Sequence, residues 1–429
     1  MELPINTVTR GPAPAPSAAG RITGGGWMRC CADRERGGKM IVADVTAACL
    51  LPLQSGIPRT TRGVFRLLQA RRPGVEPVMW QPFLHSFTRL PPPAQRLLED
   101  PFASAGARAP QDWTVPLLAA SFRHLAAGGW ERRPLDLPDG AVFLATSLFP
   151  DNRMAYLARR LRAPGRKWRA VLIFHDAIPL ADPHVPAPAR PFHRALLRLV
   201  AAFDRVVCVS RASEAELHRL WERDGVQPAA TVVAPWPVPF EGPRPAYRPP
   251  PQGRPVVLCV GRLKRVKNHR ILLEACERLW REGLDFGLDL IGCGDVPYES
   301  ADVFRALRVL EAAGRPVRWR GHVPEAELHQ AYQEASLTAF PSLMEGFGLP
   351  LVESFWHGRP VVCGGSGAVG EVARGPGVVE ADVADAASLA AALRSLLADP
   401  ARRQELARAA SARPLRTWDD YWPDLEACL

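Results

Sequence analysis

Two glutamates with seven residues between them, Glu345 and Glu353, stand in the segment PSLMEGFGLPLVESFWHG, residues 341–358. The segment follows LTAF, an apolar run that reads as a strand. Pro350 suits the first turn of a helix, where its missing N–H costs nothing, and Gly358 suits the left-handed position just past the end. A short helix over 349–357 is therefore predicted. The N–H groups of Gly346, Phe347, Gly348 and Leu349 would sit at its positive end, unhindered at the two glycines, as a site for a diphosphate. Glu353, one turn in, would reach sugar hydroxyls, and Glu345 would face a cleft from the preceding loop. Glutamates near a first turn also complement the helix dipole without any ligand, so both readings stand.

The segment VGRLKRVKNH, residues 260–269, ends a strand at Gly261 and then carries Arg262, Lys264, Arg265 and Lys267, with two of the chain's four lysines. Fixed cations there would offset the charge of a leaving diphosphate, a task otherwise given to Mg²⁺; a solvated loop looks the same in sequence. In FHDAIP, His175 and Asp176 end an apolar strand, although a lone histidine is commonly structural. In SGIPR, residues 55–59, Gly56 would let a ligand approach the backbone, and a plain turn glycine explains it equally. Gly292-Cys293-Gly294 lacks the third glycine and the acid of a dinucleotide fingerprint. No H-x-x-H, C-x-x-C or P-loop pattern occurs, so zinc, redox and P-loop chemistries are not expected.

These residues need elements to hold them. A chain of 429 residues, 47% hydrophobic and 23% charged, has the length of two domains and the composition of a globular protein. Strand–helix alternation from Met40 onward predicts a first parallel sheet: 41–49, 141–149, 170–174, 205–209 and 231–234, with helices at 63–70, 155–161 and 212–221. Residues 84–135 read as helices and loops. The run PRPAYRPPPQGRP, residues 243–255, holds six prolines and reads as a stiff linker. After it the alternation restarts, with strands at 256–261, 285–292, 317–321, 337–340 and 360–365 and a helix over 268–281. The expected organisation is a disordered tail (1–39), an N-terminal domain (40–242), the linker (243–255), a C-terminal domain (256–412) and a closing segment (413–429). Two parallel sheets joined this way leave a cleft at the carboxyl ends of both, where α/β folds bind ligands.

A net charge of +10 favours an anionic partner, although 50 arginines against four lysines look more like a coding bias than a selected surface. Nine cysteines without a C-x-x-C pair read as buried thiols in a reducing compartment. No run of eighteen apolar residues occurs, and the N-terminus lacks an apolar leader core, so the expected location is the cytoplasm. The basic run Arg153, Arg159, Arg160, Arg162, Arg166, Lys167 and Arg169 is either a face for anionic lipid at the inner side of the plasma membrane or an ordinary solvated face.

Together these motifs resemble the retaining, GT-B-fold glycosyltransferases of family four, the group 1 glycosyltransferases, over about residues 40 to 425. VGRLKRVKNH looks like that family's phosphate-binding stretch and EGFGLPLVE like its Glu-x7-Glu motif. The N-terminal half is similar to a branch rich in mannosyltransferases and related hexosyltransferases of surface polysaccharide assembly. The resemblance implies an α/β architecture of two Rossmann-like domains facing a cleft and transfer of a hexose, mannose by preference, from a nucleoside diphosphate sugar such as GDP-mannose to a saccharide or lipid-linked acceptor. It implies that Arg262 and Lys267 hold the diphosphate and Glu353 the ribose. Glu345 with the amides of Gly346, Phe347 and Gly348 would hold sugar and phosphates, while His175 meets the donor sugar and the backbone of Val323 the base. The segment 417–425 resembles the family's closing helix, with Trp418 at the domain contact. No metal and no cofactor are expected. Ser55, Pro58 and Gly370 depart from the usual pattern. A catalytically silent nucleotide-sugar-binding subunit and an epimerase of the same fold are the alternatives; a nucleic-acid binder finds no recognition element in the sequence.

Overall fold

The computed structural model describes residues 39–50, 55–72, 74–100, 117–128, 130–240, 242–249, 251–294 and 300–429. The expected tail lies outside the described residues except for Lys39. Eight strands form the first sheet: β1 (Ile41–Asp44), β2 (Glu76–Gln81), β3 (Ser86–Arg89), β4 (Arg132–Arg133), β5 (Val142–Ala145), β6 (Arg169–Phe174), β7 (Arg205–Cys208) and β8 (Thr231–Val233). Their order is β4-β3-β2-β1-β5-β6-β7-β8. Six more form the second: β9 (Val256–Val260), β10 (Gly287–Ile291), β11 (Val317–Trp319), β12 (Leu337–Phe340), β13 (Val361–Cys363) and β14 (Val378–Glu380), in the order β11-β10-β9-β12-β13-β14. The direction of winding reverses between β1 and β5 and between β9 and β12. Crevices at those two points are where such sheets take ligands.

Seven helices matter for the site: α1 (Gly56–Arg71), α2 (Arg153–Leu161), α3 (Arg211–Arg223), α4 (His269–Arg281), α5 (Glu325–Glu334), α6 (Leu349–Trp356) and α7 (Trp418–Glu426). The first strand is shorter than its apolar run. Asp44, 1% exposed, accepts the Thr46 N–H at 3.0 Å and the Thr46 hydroxyl, turning the chain into the short helix Thr46–Cys49. The helix expected at residue 63 starts at Gly56, because Pro58 falls in its first turn and interrupts nothing. The stretch 84–135 hides the antiparallel strands β3 and β4; at four and two residues they are too short for a periodic signal. In the second sheet, β14 is likewise only three residues long and partly exposed.

One apolar cluster unites the two sheets. It runs from Val142 and Val171 through Trp236 and Phe240 to Leu258, Ile291 and Val352, and includes Tyr421 and Trp422 of α7. Residues 243–249 and 251–255 are irregular, yet Arg244 donates to the carbonyls of Trp356, Phe355, Ala410 and Arg413, tying this segment to the C-terminal end of α6. α7 opens with a capping box between Thr417 and Asp420 and lies against α1. A Cβ placed on Gly63 would come within 2.0 Å of the Trp418 ring, so only glycine admits the indole there. The ion pairs Arg71–Asp419 and Arg72–Glu426 flank the contact on the surface and add little. Among the described residues no helix is long and apolar enough to cross a membrane.

Gly63→Ala is expected to lower stability by about 1–3 kcal/mol through overpacking. In a Trp418→Ala background the same change should cost much less, a coupling that urea unfolding of the four proteins in a double-mutant cycle would measure.

Candidate functional site at the seam of the two sheets

Loops at the carboxyl ends of β9, β12 and β6 converge. The loop after β9 enters a single 3-10 turn, Arg265–Lys267, and then α4; Asn268 between them is left-handed at φ 57°. Leu343 in the loop after β12 donates its N–H to Val266 O at 2.8 Å, joining the two loops through the backbone. This places Lys267 Nζ 2.5 Å from Glu345 Oε1, with both side chains largely covered. Gly348 then caps α6 at φ 110°, ψ 56°, a conformation that favours glycine, and Gly358 leaves the far end at φ 62° as expected. Glu345 stands four residues before Leu349, the first residue of α6, where a helix leaves N–H groups without a carbonyl of an earlier turn.

The first domain meets this loop directly. A Cβ on Gly346 would lie 2.1 Å from His175 O, so backbone packs on backbone. Gly346 O accepts from Ser210 Oγ at 2.7 Å and lies 2.9 Å from Ser213 Oγ, which is also 3.1 Å from His175 O. Glu371, next to the atypical Gly370, accepts the N–H groups of Arg211 and Ala212 at the start of α3, at 3.0 and 2.5 Å. Gly56, the first residue of α1, faces Leu349: a Cβ there would be 3.7 Å from Leu349 Cδ1. Ser210 also caps α3, accepting the Ser213 N–H; its second task across the seam leaves no local signal.

His175 sits at the end of β6 with Nε2 2.9 Å from Thr146 O and its ring 5.8 Å from that of Trp236. Burial lowers its pKa, against the Thr146 hydrogen bond and the charge of Asp176, so the ring is neutral at pH 7. The contact with Thr146 O assigns the proton to Nε2 and leaves Nδ1 as an acceptor. Burial raises the neighbouring Asp176, and Glu345 adds to the rise while His175, the Ile178 N–H and Lys267 oppose it. Asp176 thus feels the charges of the second domain's loops.

Glu353 is 1% exposed. Its Oε1 accepts from Arg59 Nη1 at 2.5 Å and its Oε2 from the Tyr332 hydroxyl at 2.7 Å. Burial, with Glu353 beside it, pushes the Tyr332 phenol well above its usual 10, so it stays a donor. Burial pulls Arg59 down, but Glu353 and Glu325 together carry it above its usual value. Arg59 Nη2 lies 3.6 Å from Glu325, and the guanidinium sits 5.2 Å from the centre of the Phe240 ring. Arg59 closes the SGIPR motif and Tyr332 lies in α5; neither is among the residues expected from the sequence to line the site.

Arg262 follows β9 at the same carboxyl edge, partly exposed. The Val323 side chain is buried in the core that joins the sheets, which leaves its main chain as the part able to meet a base, and Phe347 is buried in the same core. The basic run around α2 does not form a free cationic face. Arg153 is wholly buried on Asp44, and Arg160, Arg166 and Lys167 pair with Asp136, Asp204 and Asp139. Arg159 and Arg162 remain exposed.

Residues 254–399 match the family model described as "Glycosyl transferases group 1". The chain is 37% identical over 175 residues to the glycogen synthase of Mycobacterium tuberculosis (strain ATCC 25618 / H37Rv), covering 41% of each protein. It is 29% identical over 274 residues to the O-antigen chain mannosyltransferase B of Escherichia coli, 60% of this chain and 69% of that one. The match thus spans less than half the glycogen synthase's length. Among solved structures, the sucrose-phosphate synthase of Thermosynechococcus elongatus overlays with a TM-score of 0.63 at 18% identity, covering 91% of this chain and 98% of that one. Anabaena HepE, solved in complex with UDP and glucose, overlays with a TM-score of 0.53 at 18% identity, over 87% and 94%. Those overlays establish a common fold.

Three histidines are held neutral by burial: His269 and His357 at a pKa of about 3, and His322 at about 4. Each lies below its unfolded value of about 6.5, so its contribution is complete above that pH and is lost as pH falls toward the folded pKa. Between pH 6 and 4.5 the three should lower unfolding free energy by about 4 kcal/mol per pH unit, at about 1.4 each. Urea titrations across that range, repeated with His269→Gln to remove one third of the slope, would test it.

Proposed function

We propose that this chain, whose residues 254–399 form a group 1 glycosyltransferase domain and whose two sheets make the GT-B fold, is a retaining hexosyltransferase. It moves a hexose, mannose by preference, from a nucleoside diphosphate sugar to a saccharide acceptor, free or lipid-linked. The observation that carries this reading is the meeting at one seam of Lys267, Glu345, the first turn of α6 and His175. The preference for mannose rests on the mannosyltransferase relatives.

In this reading the donor's diphosphate lies at the N-terminus of α6, facing Arg262 and Lys267. Lys267 then exchanges its carboxylate partner for phosphate oxygens, and Glu345 is released toward the sugar. Positive charge builds at the anomeric carbon as the bond to the diphosphate breaks, and the acceptor hydroxyl enters on the face the leaving group vacates, giving its proton to the departing diphosphate oxygen. Stabilising that leaving group is the main task, and it falls to the two cations and the helix end. Neutral His175 meets the donor sugar through Nδ1 without adding a like charge beside the developing cation. Glu353 receives the ribose hydroxyls, and the main chain of Val323 meets the base.

Loss of either cation should cost about 2–4 kcal/mol in the transition state. Arg262→Ala and Lys267→Ala are thus expected to lower turnover by about 30-fold to 1000-fold with little change in Tm. Purified protein would be given GDP-, UDP-, dTDP- and ADP-sugars with and without EDTA, with nucleoside diphosphate release followed beside Glu353→Ala. One active donor, unaffected by EDTA and silenced by the variants, is the expected result, with the product's anomeric configuration read by NMR. Binding without turnover for every donor and acceptor would favour a silent binding subunit, and an inverted product would refute retention.

A further inference from the structure

Arg59 has no task in the reaction outlined above, yet it is placed where one is needed. It lies in the second turn of α1, in the first domain, and reaches across the seam to α6 in the second. The residue is 9% exposed. Nη1 is committed to Glu353, while Nη2 is buried with no hydrogen-bond acceptor among the described residues; the Glu325 carboxylate is 3.6 Å away, beyond hydrogen-bond reach. A buried N–H of a cation without an acceptor is costly to leave unmade. Arg59 and Tyr332 occupy two of the roughly four acceptor positions of the Glu353 carboxylate, and the remainder take no donor among the described residues.

A group that binds here must offer hydrogens to Glu353 and an oxygen lone pair to Arg59. A hydroxyl does both, and a ribose presents two of them on adjacent carbons. We propose that Arg59 is a ribose-recognition residue supplied by the N-terminal domain: Nη1 orients Glu353, and Nη2 donates to an oxygen of the ribose hydroxyl that Glu353 accepts from. The pair is covered by the seam, so ribose is bound as the two domains separate and reclose, and both domains then read one sugar. This rests on the assignment of the seam as a nucleoside diphosphate sugar site and adds to it a determinant of ribose over deoxyribose.

The test compares binding of each nucleoside diphosphate with its 2′-deoxy counterpart by calorimetry, using the full chain and no acceptor, in wild type, Arg59→Met, Arg59→Lys and Glu325→Gln. Wild type is expected to prefer the ribose form by about tenfold or more, as for a lost hydrogen bond to a charged group. In Arg59→Met that preference should fall toward unity, mostly through weaker binding of the ribose form, whereas Glu325→Gln should keep it. Arg59→Met leaves Glu353 buried without its cation; if that variant fails to fold, Arg59→Lys, which keeps the charge but carries its donors on one nitrogen in place of the two-nitrogen fork, should show an intermediate preference. Equal weakening of both forms would make Arg59 a structural residue, and an unchanged preference would remove it from recognition; either overturns the proposal while leaving the transferase reading standing. No binding of any nucleoside diphosphate by wild type would overturn both.

Discussion

The approach of Gly346 to the carbonyl of His175 is the constraint on which the arrangement rests. Two domains can meet through side chains in many ways, because side chains adjust. Here they meet main chain to main chain, where a single methyl group would collide. That contact fixes the register of the loop 341–348 against the end of β6, and with it the place of Lys267, Glu345 and the first turn of α6. Ser210 and Ser213 lock it by hydrogen-bonding the Gly346 carbonyl. The glycine therefore works by bringing the two backbones together more than by leaving room for a ligand.

Much of this was legible in the residues because its physics is local. A proline in a first turn, a glycine past the last and an apolar run before them mark α6 to within one residue at its C-terminal end. The strand ends at Gly261 and Phe174 and the helix over 268–281, observed as His269–Arg281, emerge from short-range patterns of the same kind. What stayed hidden is set at long range. Arg59 and Glu353 are 294 positions apart, and nothing in either segment says which face of α1 will look toward α6. Tyr332 reads as one more apolar position on α5 until its hydroxyl is seen on Glu353. The four-residue strand β3 is held by pairing with β2 and the two-residue strand β4 by pairing with β3, neighbours that periodicity cannot name.

Charge teaches the same lesson from the other side. A net excess of ten positive charges invites a search for an anionic surface, and seven basic residues within 153–169 look like one. In the fold most of them have specific acidic partners, and Arg153 is a core residue that anchors Asp44 at the end of the first strand. Where a cation sits matters more than how many there are. Lys267 carries one charge and stands at the mouth of the second sheet, whereas the arginines of α2 largely hold their own domain together.

The fit of Trp418 over Gly63 bears on the order in which the chain can be completed. The flanking partners Arg71 and Asp419 are 348 positions apart, so most of the protein lies between α1 and the helix that covers it. At ordinary rates of synthesis that separation corresponds to on the order of half a minute. Throughout that interval the α1 surface that receives the indole is bare on the ribosome, and the first domain finishes folding only after the second has been made. The indole of Trp418 thus closes a surface that it can cover only once the intervening residues have been made.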